Sequence, residues 1–209
     1  MYKLFYSPGA CSMAVHVALN EVGAEYELVR AQIHGPDKDP ELLKVNPRHQ
    51  VPVLVDGDLI IREGAAQIIY LLDKHESPLL PQTGPARAKA LEWLCFCNAT
   101  LHPAHSLGFS VKRISDDAKT QEAVGKFACA KMQRLWDDVE ARLATSKYLA
   151  GDNVTIGDIL MTVIANWTRN MPAPITLGAN VKRVLKEIIA RPAYQEALTS
   201  EQVEYKAAA

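Results

Sequence analysis

YSPGACSMAVHVAL, residues 6–19, decides how the first part of the chain is read. It leaves a strand, turns at Pro8-Gly9 and runs into an apolar stretch. Met13, Val15, Val17, Ala18, Leu19 and Val22 form a broad apolar face at helical spacing over 12–22, and Gly23 supplies the stop. YKLFY at 2–6 reads as a short strand. Cys11 therefore falls at or just before the first turn of a helix. Unpaired backbone N–H groups and the helix dipole favour negative charge there, which predicts a thiol of depressed pKa. A small buried hydrophobe near a helix start is the alternative reading, and position alone favours neither.

Working outward, YELVRAQI (26–33) is a second strand, followed by the polar loop HGPDKDP and a short helix over 41–45. VPVLV (51–55) and LII (59–61) are strands joined by Asp56-Gly57-Asp58, a hairpin signal. Residues 64–75 form a helix with Ile68, Ile69, Leu71 and Leu72 facing a core. The order is β-α-β-α-β-β-α. SPLLPQTGPAR (77–87) then carries three prolines and a glycine, which is linker chemistry. Helices are predicted over 86–112, 117–146, 155–170, 178–190 and 192–199, punctuated by SDD, the GDN turn, MPAPIT and Arg191-Pro192. The expected organisation is α/β plus all-α: a small α/β domain over 1–78 and an all-helical domain over 86–209.

A chain of 209 residues is long enough to bury a sizeable core. Its net charge of −1, without a Lys/Arg block, argues against a nucleic-acid partner. No apolar run reaches the length of a membrane span. MYKLFY alternates and Pro8-Gly9 interrupts it, so a secretory leader is not expected. A cytoplasmic, reducing location follows, with the four cysteines as thiols.

Two further motifs bear on chemistry. In NPRHQVPVL (46–54), a proline at a strand start cannot donate to the ladder. Val51-Pro52 is a candidate cis peptide that leaves the Val51 backbone able to pair with an extended peptide. An ordinary trans proline at a strand edge is the alternative. In REGAAQIIYLL (62–72), Glu63-Gly64 stands at a helix N-terminus, where free N–H groups suit a carboxylate. The Glu63 side chain accepts from an ammonium, so the pair suits the zwitterionic end of an α-amino acid. Complementing the helix dipole is the simpler role for Glu63.

FYSPGACS, NPRHQVPVL and REGAAQIIYLL, in this order and spacing, together with GDNVTIGDI (151–159), resemble the cytosolic glutathione S-transferases, the bacterial beta class most closely. The resemblance spans essentially the whole chain. It implies a thioredoxin-like N-terminal domain that binds glutathione as co-substrate and a helical domain that contributes the pocket for a small hydrophobic electrophile. It also implies a homodimer and no metal. Cys11 matches the beta-class cysteine beside the glutathione sulfur, Val51 the residue whose backbone pairs with the cysteinyl part, and Glu63 and Gly64 the γ-glutamyl pair. His102 matches a histidine near the active site. His34 or Lys38 is the expected substitute for a basic ligand to the glycyl carboxylate. Tyr6, His105 and Phe109 are assigned to the electrophile pocket, with Ser12 a minor candidate for sulfur activation. Relatives often carry polar side chains where this chain has Cys95 and Ala99, so glutathione is expected to bind more weakly or to sit differently. Two other readings stay open: a Cys11-dependent thiol-disulfide transferase, and a non-catalytic binding module of the same fold.

Other features read as structural. Cys95 and Cys97 are two apart on a helix and face different ways, so packing is expected for both, and for Cys129. Pro103 is expected to kink the helix between His102 and His105. Thr155-Ile156-Gly157-Asp158 is a capping box, flanked by Val154 and Ile159 in staple positions.

Overall fold

The computed structural model describes residues 1–33, 35 and 37–208. They form two compact units, the first comprising Met1–Arg87 with Ala190–Glu204. Its elements are β1 (Tyr2–Tyr6), α1 (Ser12–Glu21), β2 (Tyr26–Arg30), α2 (Pro40–Val45), β3 (Val53–Asp56), β4 (Leu59–Ile61), α3 (Gly64–Lys74) and α9 (Pro192–Glu201). The sheet runs β2-β1-β3-β4, with β1 and β2 parallel and the other pairs antiparallel. This is the thioredoxin-like arrangement. Leu4 lies between Leu28 and Leu54 in register, and Leu4 and Leu54 are fully buried. Every residue of α1 from Ser12 to Leu19 is buried, because the helix is covered by β1, α3 and α9 together. This explains an apolar face broader than a one-sided helix needs.

Strand ends differ from the sequence expectation for a pairing reason. β2 stops at Arg30 because its partner β1 stops at Tyr6; one further bond, Ala31 N–H to Tyr6 O at 2.8 Å, closes the ladder. β3 starts at Val53, opposite Phe5, since Pro52 has no N–H to donate. Gly57 holds φ +59° in the hairpin, a conformation glycine adopts without steric cost. The linker is pinned within this unit, where Arg87 makes a two-pronged ion pair with Asp73 at 2.8 and 2.9 Å and donates to Pro81 O.

The second unit comprises residues 88–189 and the tail from Tyr205. Its helices are α4 (Gly84–Phe96, which enters from the first unit), α5 (His102–Ile114), α6 (Ala118–Ala144), α7 (Ile156–Ala165) and α8 (Ala179–Ile189). The helix expected unbroken over 86–112 is interrupted by a π-helical segment, Cys97–Leu101, directly before Pro103. A proline ring crowds the carbonyl four residues back and offers no N–H to it, and the wider turn relieves both problems. All ten residues of α7 are buried, with α8 and the π segment against it. The helix expected over 155–170 ends at Ala165, and a 3₁₀ turn, Thr168–Asn170, follows.

The division of the chain departs from sequence expectation in one respect. The last helix, expected within 86–209 as part of the helical domain, belongs to the first unit. Arg191 grips both carboxylate oxygens of Glu21 at 2.6 and 2.7 Å, and Glu201 accepts from the buried His16 ring at 2.9 Å.

Candidate functional site

Cys11 is the N-cap residue of α1. The loop before it is held at two points. The Ser12 hydroxyl accepts from Ser7 N–H and donates to Ser7 O, each at 3.2 Å. Gly9, at φ +67°, donates its N–H to the Glu201 carboxylate at 2.9 Å. Ser12 is fully buried in this role, which removes it as a candidate for sulfur activation. The Cys11 thiol is partly accessible and donates to Val51 O at 3.7 Å. Burial pushes that thiol up to about 11. The backbone N–H groups of Cys11 and Ser12 pull the other way, as expected of a helix start, while the Glu63 charge adds to the rise. The expected depressed pKa is therefore corrected: desolvation outweighs the helix terminus, and Cys11 is a neutral thiol donor near pH 7.

The Val51-Pro52 peptide is cis. The Val51 carbonyl faces Cys11, and its N–H has no hydrogen-bond partner among the described residues. α3 begins directly beneath this loop. A Cβ on Gly64 would lie 3.3 Å from Pro52 Cγ, so the absence of a side chain permits the close approach. Glu63 is the N-cap of α3, exposed, and its carboxylate accepts from Arg48 Nη2 at 2.8 Å. The first unit thus brings Cys11, Val51, Glu63 and Gly64 onto one face of its sheet-and-helix scaffold.

Other expected ligands fall outside this group. Lys38 is exposed on its loop, and His34 lies outside the described residues. Tyr6 ends β1 with 8% exposure, so its side chain belongs to the core more than to an open pocket wall.

In the second unit, His102 is half-buried, its ring 4.9 Å edge-to-face from Trp167. Desolvation lowers its pKa, which keeps the imidazole neutral. His105 is corrected as a pocket residue because it is fully buried. Leu101 O can only accept and Trp136 Nε1–H can only donate, so Nδ1 carries the proton, donating at 2.9 Å, and Nε2 accepts at 3.4 Å. Burial pushes this histidine down to about 4. Phe109 is exposed, its ring 6.1 Å from Trp167, and it lines a cavity of about 400 Å³ with Gly108, Val111, Asn170 and Pro172. A larger concavity of about 510 Å³, bounded by Arg169, Met171, Ile175 and Lys182, contains none of the candidates.

Cys97 and Cys129 are buried and donate to Gly157 O and Ala173 O, whereas Cys95 is exposed, against the expectation of packing. Among the described residues, no group of His, Cys, Asp and Glu is placed to hold a metal ion, and no helix is long and apolar enough to cross a membrane.

Three residues of this region escaped sequence reasoning. Arg48 and Glu201 act through partners 15 and 192 positions away and left no local signal. Gln67 did leave one: it stands four residues before Leu71 and so shares the buried face of α3, where an amide is unusual.

A cysteine at a helix start facing a cis-proline edge, on a thioredoxin-like sheet, defines a thiol-peptide-binding class of domain. The comparisons carry this to a family. Residues 1–73 match the glutathione S-transferase N-terminal domain and residues 91–192 the C-terminal domain. Glutathione S-transferase 3 of Zea mays is 33% identical over 210 residues, covering 96% of this chain and 93% of its own. The solved glutathione S-transferase from Xylella fastidiosa superposes with a TM-score of 0.89 at 27% identity, covering 98% of this chain and 100% of that one. A sphingomonad glutathione S-transferase complexed with glutathione gives a TM-score of 0.84 at 28% identity, over 97% and 100%. The chain belongs to the glutathione S-transferase family.

Proposed function

We propose that the protein conjugates the glutathione thiolate to small hydrophobic electrophiles. The carrying observation is the alignment of the Cys11 thiol with the Val51 backbone edge, 3.7 Å away, beside the start of α3. Glutathione lies extended along Val51. Its γ-glutamyl carboxylate takes the free N–H groups at Gly64, and its ammonium takes Glu63, which Arg48 steadies. The glutathione sulfur comes to the start of α1, where backbone N–H groups and the Cys11 S–H donate to it. The thiolate attacks the electrophilic carbon, the C–S bond forms and the leaving group departs. Holding the sulfur in place supplies most of the acceleration. His102 and Phe109 of the helical unit are assigned to the electrophile.

A neutral Cys11 favours conjugation over the thiol-transferase reading, since thiol-disulfide exchange needs Cys11 as thiolate. The motifs place the enzyme nearest the bacterial beta class. A detoxifying role in the cytoplasm is part of the reading, supported by four free cysteines. A homodimer is the assembly that the resemblance implies, and light scattering measures it.

Replacing Cys11 with Ala decides between the two chemistries. Conjugation is expected to fall by about tenfold or less, while exchange with a glutathione mixed disulfide, if present in the wild type, disappears. Retention of exchange without Cys11, or loss of conjugation together with gain of nothing else, overturns this assignment. Absence of glutathione binding in calorimetry at millimolar ligand favours the non-catalytic module.

A further inference from the structure

Gln67 is wholly buried in the early part of α3. Its Nε2 donates to two carbonyls from different elements: Pro52 O at 3.0 Å and Ile61 O at 2.8 Å. The first belongs to the cis-proline loop, and the second ends β4 two residues before Glu63. Both amide hydrogens are used. Turning the amide over would set Oε1 against two acceptors, so its orientation is determined by chemistry. Oε1 itself is buried with no partner among the described residues.

An unpaired buried acceptor weakens a core, and Leu or Ile would fill this position without one. The side chain is thus a poor filler and an effective bracket. It ties the helix to the loop on one side and to the approach to Glu63 on the other. The close contact between Gly64 and Pro52 completes the joint.

We propose that Gln67 is a positioning residue that fixes the spacing between the Val51 edge and the Glu63-Gly64 helix end, so that the cysteinyl and γ-glutamyl parts of the tripeptide bind together. The inference rests on the glutathione reading above and extends it to a residue that touches no ligand. Loss of the bracket leaves each half-site intact and removes their register.

The test compares glutathione with cysteinylglycine, which lacks the γ-glutamyl end, on the full chain. In Gln67→Leu, the Kd and KM for glutathione rise about tenfold, while cysteinylglycine affinity and kcat at saturating glutathione stay within about twofold of wild type. Gln67→Glu supplies a second readout. Its carboxylate faces two carbonyls at pH 8 and binds glutathione as weakly as the Leu variant. On acidification the carboxyl takes up a proton, regains one donor and recovers affinity, a trend the wild type lacks. If Gln67→Leu does not fold, this pH dependence carries the test. A Gln67→Leu protein that keeps the wild-type preference for glutathione overturns the proposal alone, as does a Gln67→Glu protein without recovery. A wild type that does not prefer glutathione to cysteinylglycine overturns the glutathione reading and the proposal with it.

Discussion

At the scale of single residues, burial decides what local position only suggests. Cys11 sits where a thiolate is favoured, yet its environment holds the proton. Its place at the helix start was legible from YSPGAC; its desolvation was not, because that depends on Val51, forty positions away. His105 shows the same effect with a consequence for stability. Its ring is sealed between Leu101 O and Trp136 and is pushed down to about 4, whereas an unfolded chain has a histidine near 6.5. Between those values the unfolded state binds more protons than the folded one, so stability rises with pH across the window. The contribution is complete above about pH 6.5 and is lost as pH falls toward 4. Desolvation of His102 acts in the same direction. Chemical denaturation at pH 7 and pH 4.5 should show the wild type losing on the order of 2 kcal/mol more than His105→Gln. Equal losses in the two proteins would contradict a buried neutral imidazole.

At the scale of elements, local rules carried far and failed where a neighbour intervened. The hairpin at Asp56-Gly57-Asp58, the start of α3 and the capping box of α7 were all readable from short motifs, because each is closed by residues within a few positions. The π segment before Pro103 was not, since a proline predicts a disturbance without saying which form it takes. The capping box is built as expected and holds more than its own helix. The Asp158 carboxylate accepts from Thr155 N–H at 2.8 Å and the Thr155 hydroxyl at 3.1 Å. Its other oxygen accepts from Leu149 N–H at 2.9 Å, which ties the turn before α7 to the helix. Gly157, within the same turn, allows α4 to approach, since a Cβ there would stand 3.3 Å from Leu94 N. Thr155→Ala removes one donor to a fully buried carboxylate and should cost about 1 kcal/mol or somewhat more. A thermal melt unchanged from wild type would refute this.

At the scale of the whole molecule, two units were legible as a change from mixed strands and helices to helices alone. The membership of α9 was not, because an amphipathic helix after a helical run looks like one more of the same, and its partners lie 170 and 185 positions earlier. Those partners define its role. Glu201 accepts from His16 with one oxygen and from Gly9 N–H with the other, so the end of α9 fastens both α1 and the loop that presents Cys11. His16 continues the network to Tyr26, which donates to Asn20. Replacing Glu201 with Gln keeps the shape and removes the charge from a fully buried site, at an expected cost of about 2 kcal/mol. The location of the damage is the sharper readout. Hydrogen exchange should quicken in α1, α9 and the loop at Gly9, while amides of α6 and α7 keep their protection, because the network lies wholly within the first unit. Cys11 should also react faster with a thiol reagent, as its loop loses an anchor. Uniform loss of protection across both units would mean that the chain opens as one body and that α9 does not belong to the stability of the glutathione-binding unit alone.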